Sequence, residues 1–150
     1  MRDRALHVAR ITNGEVDVIE SYDKGYGFVD VAVELWRLAN RPDRSAAVEA
    51  VMTSAFELEP PRLDKPRVEC LREALSGLED ALVGTLTDAE HLLSLERVKE
   101  LRGKSENLDL GEWRSDESAR HAVEEALIYV DHLRSIIEEA LAADACIVWD

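Results

Sequence analysis

The sequence predicts a mainly helical α+β domain, in which a bundle of about five helices carries a small antiparallel sheet. Three features predict it: a turn signal between two alternating segments near the N-terminus, long segments with apolar residues every three or four positions, and a β-branched, aromatic C-terminal tail. Helices and strands do not alternate along the chain, which argues against a parallel sheet. A chain of 150 residues can bury one sizeable core, so we expect a single domain over 1–150.

The first element is predicted to be a β-hairpin over residues 5–22. Asn13-Gly14 is a preferred dipeptide for a two-residue turn. A turn closed there predicts these cross-strand pairs: Thr12–Glu15, Ile11–Val16, Arg10–Asp17, Ala9–Val18, Val8–Ile19 and His7–Glu20. An isolated hairpin is only marginally stable, so we expect a third strand, and residues 145–149 are the candidate.

The remaining periodic segments predict helices over about 26–40, 43–58, 65–84, 88–102 and 116–143. The first of them is apolar nearly all round, with a polar stripe of only Asp30, Glu34 and Arg37, so we expect it to be the central, most buried helix.

The third predicted helix has two distinct sides. Leucines and a valine form an apolar stripe: Val68, Leu71, Leu75, Leu78 and Leu82. A second side carries small residues, namely Cys70, Ala74, Gly77 and Ala81, and predicts close approach of another element with Cys70 as a packed thiol. Cys70 and Cys146 are the two cysteines, and we expect both to be reduced.

The net charge of −14 is the strongest global feature, and residues 101–150 alone hold twelve acids and five bases. Such a surface repels phosphate backbones and anionic lipids, which disfavours direct nucleic-acid and membrane binding and favours a basic protein partner. No apolar segment reaches the length of a membrane span, and the first residues do not resemble a secretory signal. We therefore expect a cytoplasmic protein.

The sequence carries none of the common motifs for catalysis or cofactor binding. The chain contains no phosphate-binding loop, dinucleotide fingerprint, nucleophile elbow or zinc-protease motif, so we expect no cofactor and no enzymatic activity. Asp88 and His91 have the spacing of two metal ligands on one helical turn, and they are the weak candidates for a metal site. Helical di-iron centres use a Glu-x-x-His pair twice, however, and the chain has no second copy.

The last predicted helix holds two histidines on its polar face. His121 and His132 are eleven residues apart, about 16 Å along a helix axis, so one ion cannot bridge them. Between them Ile128 projects from the same polar face, where it is either covered by a hairpin or loop or exposed as an apolar anchor among acids. We predict that this face binds a partner through Glu117, His121, Glu124, Glu125, Ile128, Asp131 and His132.

The leading hypothesis from the sequence is a non-enzymatic acidic protein that neutralises a basic partner. This profile is typical of immunity proteins and nuclease inhibitors, which block cationic toxins through complementary charge. The same charge logic would serve a protein that mimics nucleic acid. Two alternatives from other classes are a metal-dependent helical enzyme using His91, and a homo-oligomer that pairs through Gly77 and Ala81 or through the sheet edge.

Overall fold

In a computed structural model, the protein is described over residues 4–23, 25–82 and 116–149, with backbone only for 116–125. The strands are β1 (Leu6–Thr12), β2 (Glu15–Tyr22) and β3 (Cys146–Trp149), and the helices are α1 (Tyr26–Leu38), α2 (Pro42–Phe56), α3 (Lys65–Ala74), α4 (Leu78–Leu82) and α5 (Asp116–Ala142). The predicted fold class is confirmed, because the described chain is mostly helical with one three-stranded antiparallel sheet. The helix predicted over 88–102, with Asp88 and His91, lies outside the described residues.

The hairpin closes at the predicted turn, where Asn13 and Gly14 have φ angles of 52° and 81°. The register is as predicted from Thr12–Glu15 to Ala9–Val18, but the two pairs beyond it are wrong. A β-bulge lies there, so Val8 pairs with Glu20 and His7 with Ser21. The extra residue brings Tyr22 opposite the buried Leu6, so the tyrosine lies on the sheet face that carries the core.

The C-terminal tail joins the sheet as predicted, and the strand order is β2-β1-β3. Leu6 pairs with Trp149 and Val8 with Ile147. On its other side, β3 is covered by an isolated bridge in which the Leu63 and Ile147 backbones donate to each other at 2.8 and 2.9 Å. β1 is therefore the central strand, and its Leu6 and Val8 side chains belong to the main core.

Helix α1 is the most buried helix of the described chain, as predicted, and it packs against α2, α4 and α5. Its polar stripe is only partly exposed, because Glu34 is buried. The Arg37 guanidinium donates to the Glu34 carboxylate at 2.6 Å and lies 3.4 Å from Glu49 of α2. Glu34 is buried because a neighbouring helix covers this side, and an arginine compensates the carboxylate.

The helix predicted over 65–84 is interrupted. Its leucine stripe is buried as expected, but α3 ends at Ala74 and the chain turns at Gly77, which has a φ of 81°. Three side chains donate hydrogen bonds to the carbonyl groups that the interruption leaves without helical partners. Arg44 donates to Glu73 and Ser76, Trp36 to Ala74, and Arg134 to Leu75, all at 2.8–3.0 Å.

The interruption removes the continuous small-residue side that the sequence predicted. Gly77 lies in the turn between α3 and α4 rather than on a helix face, and Cys70 is exposed, so the prediction of a packed Cys70 thiol is wrong. Cys146 is half-buried at the start of β3, where burial raises the pKa of its thiol. A homo-oligomer that pairs through Gly77 and Ala81 would therefore have no single helix face that carries both residues.

Candidate functional site

Helix α5 presents one buried side and one exposed side, as its periodicity predicts. Ala126, Val130, Leu133, Ile137 and Ala140 are fully buried against the core. Asp131, His132, Ser135 and Glu138 are exposed on the other side. Glu117, His121, Glu124 and Glu125 belong to the same helix by their backbone, but their side chains lie outside the described part of the chain.

Ile128 is exposed, which rules out the alternative that a hairpin or loop covers it. Its relative exposure of 53% is the highest among the large apolar side chains of the described residues. Asp131 and His132 follow it within about one helical turn and are also exposed. The structure thus places an apolar side chain beside a carboxylate and an imidazole on one open helix face.

The Asp131 carboxylate is partly neutralised by a neighbouring arginine. Arg134 donates to Asp131 at 3.1 Å and to Glu79 of α4 at 2.9 Å. This arginine holds the pKa of the Glu79 carboxyl below its ordinary value, chiefly through the hydrogen bond. Asp131 therefore offers a partner less charge than the sequence alone suggests, and Ile128 becomes the more distinctive feature of this face.

The His132 ring lies in an aromatic cluster that the sequence did not predict. It packs edge-on against Phe28 of α1, with the ring centres 5.7 Å apart, and lies 6.3 Å from the ring of Tyr129. Phe28 and Tyr129 are themselves 5.6 Å apart. The exposed face of α5 is therefore continuous with the start of α1.

An open cleft of about 440 Å³ lies between this cluster and the end of the hairpin. The residues that line it come from three elements and the turn between them: Ser21, Tyr22, Asp23, Phe28, His132 and Ser135. Among the residues that the structure describes, the lining combines aromatic rings with hydroxyls and one carboxylate and includes no lysine or arginine. Such a surface can hold a side chain that is apolar along its length and cationic at its end.

The cleft depends on the path of the chain from β2 into α1. Gly25 is buried in this turn, and a Cβ atom there would lie 3.1 Å from the Tyr22 carbonyl oxygen and 3.2 Å from Leu6. This glycine forms the bend from the hairpin into α1. Its close packing holds together the chain segments that bring Tyr22 and Phe28 into the lining of the cleft.

Tyr22 fixes the hairpin to α5. Its hydroxyl donates to the Glu139 carboxylate, and this hydrogen bond is the main reason that the pKa of Tyr22 is raised to about 12. This hydrogen bond ties the end of the hairpin to α5 beside the cleft.

Replacing Glu139 with glutamine is expected to lower the pKa of Tyr22 from about 12 toward its ordinary value of 10, because the carboxylate charge is lost. The raised pKa means that the contact contributes stability below pH 10, which is lost as the pH rises toward 12. NMR titration of the Tyr22 ring carbon measures both proteins. An unchanged pKa in the variant would show that burial, not Glu139, causes the shift.

Two further findings concern metal sites and membranes. In the described ranges, no three histidine, cysteine, aspartate or glutamate side chains converge in a way that could hold a metal ion. Within the same ranges, no helix combines the length and apolarity needed to cross a bilayer.

No protein-family model, curated protein or solved structure shows a significant match to this chain. The surface formed by Ile128, the cleft and the adjoining hairpin is therefore the basis of the functional proposal.

Proposed function

We propose that this chain is a non-enzymatic cytoplasmic protein that binds and neutralises a basic protein partner, in the manner of an immunity protein for a toxin or nuclease. The observation that carries the proposal is the 53% exposure of Ile128 on an acidic helix, next to a cleft whose described lining residues include no lysine or arginine. The net charge of −14 supports a partner of opposite sign.

The arrangement around Ile128 is that of a small interface. A central apolar side chain supplies burial, while the polar side chains around it exclude water and select the partner. Asp131, His132 and Ser135 occupy that surrounding position along α5. Carboxylates spread over the rest of the chain would accelerate encounter with a cationic surface, since electrostatic steering acts over about a Debye length.

The cleft supports a binding role in particular. Phe28 and Tyr22 provide aromatic surface, and the Asp23 carboxylate and two serine hydroxyls provide hydrogen-bond acceptors. A lysine or arginine side chain of the partner could lay its aliphatic stem on the rings and direct its charge toward Asp23. The His132 ring packs edge-on against Phe28 and contributes to the binding surface rather than to catalysis.

The test is a titration of this chain with a basic protein encoded beside it, by calorimetry at about 50 and 200 mM salt. We expect a tight complex whose Kd rises by about tenfold or more between the two conditions, because the surface charges are screened. Thermal unfolding of the free chain at both salts is the control for folding. The proposal would be overturned if no basic protein encoded nearby binds, or if the Kd does not change with salt.

A further inference from the structure

Strand β2 forms an open edge of the sheet in the described chain. The strand order is β2-β1-β3, so β1 covers one side of β2, whereas the far side of β3 is covered by the Leu63 bridge. An edge strand presents backbone N–H and C=O groups that can pair with another extended chain.

The exposed side chains of β2 are unusual for an edge. Val16, Val18 and Ile19 are 45%, 48% and 41% exposed, and they are three of the five exposed large apolar side chains among the described residues. Proteins commonly protect such edges with charge, proline or a covering loop. The carboxylates of β2 protect this edge against another acidic strand, whereas its apolar side chains leave surface that a partner can cover.

The register separates the apolar and acidic side chains of β2 onto two faces. Val16 and Val18 pair with Ile11 and Ala9, and directly paired residues share a face of the sheet. The carboxylates lie on the other face, where Glu15 pairs with Thr12, Asp17 with Arg10, and Glu20 with Val8. A strand added at this edge would have apolar neighbours on one face and acids on the other.

The acidic charge of β2 determines which kind of strand can pair with its outer edge. Residues 15–23 contain four acids and no base. Pairing β2 with β2 of a second copy would gather the carboxylates of both strands within cross-strand distances, which is destabilising. A segment with lysine or arginine at alternate positions would instead pair opposite charges along one face.

We propose that the outer edge of β2 binds an extended basic segment of a partner protein as a fourth strand. This inference rests on the proposed function for the chemistry of the partner, and it names the element through which the partner binds. The edge is continuous with the cleft, because Ser21 and Tyr22 belong to both. A segment that follows β2 therefore arrives at the cleft and at the exposed face of α5.

The probe is a blocked peptide as long as β2, eight residues, that alternates lysine and threonine. On binding, amide hydrogen exchange should slow in residues 15–22 and not in α2 or α3, because edge pairing ties up backbone groups. The same peptide N-methylated at every residue keeps its charges, but its methyl groups block the close approach of a neighbouring strand and remove its donors, so it should produce no slowing. Equal effects of the two peptides, or no slowing in β2 with either, would overturn the inference.

Neutralising the acids of β2 tests the choice of a basic strand. A variant with Glu15→Gln, Asp17→Asn and Glu20→Gln should raise the Kd of the peptide by about tenfold, since three opposite-charge pairs are lost. The matched control neutralises three other exposed carboxylates, Glu57, Glu69 and Glu73, and should change the Kd by less than about threefold. Equal effects of both variants would mean that only net charge matters.

Two other outcomes separate this inference from its alternatives. Slowed exchange in β2 that increases with protein concentration and needs no peptide would identify a second copy as the occupant and would overturn the inference. If the peptide pairs with β2 but no neighbouring basic protein binds, the proposed function fails and the edge site stands. If such a protein binds without protecting β2 and the peptide does not pair, the inference fails alone.

Discussion

Replacing Ile128 with aspartate is expected to raise the Kd of the complex with the basic partner by about a hundredfold. Truncating a central interface residue typically costs about 2 kcal/mol or more, and the aspartate also introduces a charge where apolar burial is needed. The free protein should keep its stability within about 0.5 kcal/mol, because the side chain is 53% exposed and belongs to no described core cluster. Calorimetric titration and denaturant unfolding measure the two effects separately.

The control adds the same charge elsewhere. Ala50 is exposed on α2, so Ala50→Asp raises the negative charge without changing the proposed surface, and it should leave the Kd within about threefold of the original value. Ile128→Ala removes the apolar side chain without adding a charge. It should weaken binding more than Ala50→Asp and less than Ile128→Asp. Similar Kd values for the Ile128 and Ala50 aspartate variants would place the interface away from α5.

Replacing Trp36 with alanine is expected to lower the free energy of unfolding by about 3 to 5 kcal/mol. Trp36 is 1% exposed in the core, and its indole N–H donates to the Ala74 carbonyl at 3.0 Å. The variant loses this packing and leaves a carbonyl at the end of α3 without its donor. Arg44 stacks over the indole ring at 5.0 Å while capping the same helix end, so its contacts are disturbed as well.

A phenylalanine at position 36 separates the two contributions. Trp36→Phe keeps an aromatic ring in the core but removes the donor to Ala74, so it should cost less than the alanine variant and still more than about 1 kcal/mol. Urea unfolding at equilibrium measures all three proteins. A loss of less than about 1 kcal/mol for the alanine variant would contradict the role of Trp36 in joining α1 to α3.

Local patterns predicted the elements that depend on short-range signals. The Asn13-Gly14 turn and the apolar periodicity of α1 and α5 act within a few residues. The start of α3 is also set locally, since the Asp64 side chain accepts from the Arg67 backbone N–H at 3.4 Å. The tail strand was also predictable, because its β-branched and aromatic residues directly follow the last helix.

The features that escaped prediction depend on contacts between distant parts of the chain. The bulge that displaces Ile19 from the regular register places Tyr22 where its hydroxyl reaches Glu139, 117 residues away. The helix breaks after Ala74, within a leucine stripe whose spacing predicts one continuous helix. Side chains of α1, α2 and α5 stabilise this break. Neither the contact between Tyr22 and Glu139 nor the contacts that stabilise the break after Ala74 can be predicted from a short stretch of sequence.

The candidate partner-binding surface could be predicted only in part, because some of it depends on contacts between distant segments. Periodicity placed Ile128, Asp131 and His132 on one helix face, and the structure leaves that face exposed. The cleft beside it is built by Phe28 and the end of β2, which meet α5 only through the tertiary fold. A glycine-containing turn followed by an aromatic residue, as in residues 25–28, was the local signal available for it.

The most direct measurement of the central claim is cross-saturation NMR on the complex of the deuterated chain with its protonated basic partner. Saturation of partner protons should reduce amide signals most strongly around Ile128 and His132 of α5 and around the cleft formed by Ser21 and Tyr22. Signal loss confined to the outer surfaces of α2 and α3 would contradict the proposed partner-binding surface.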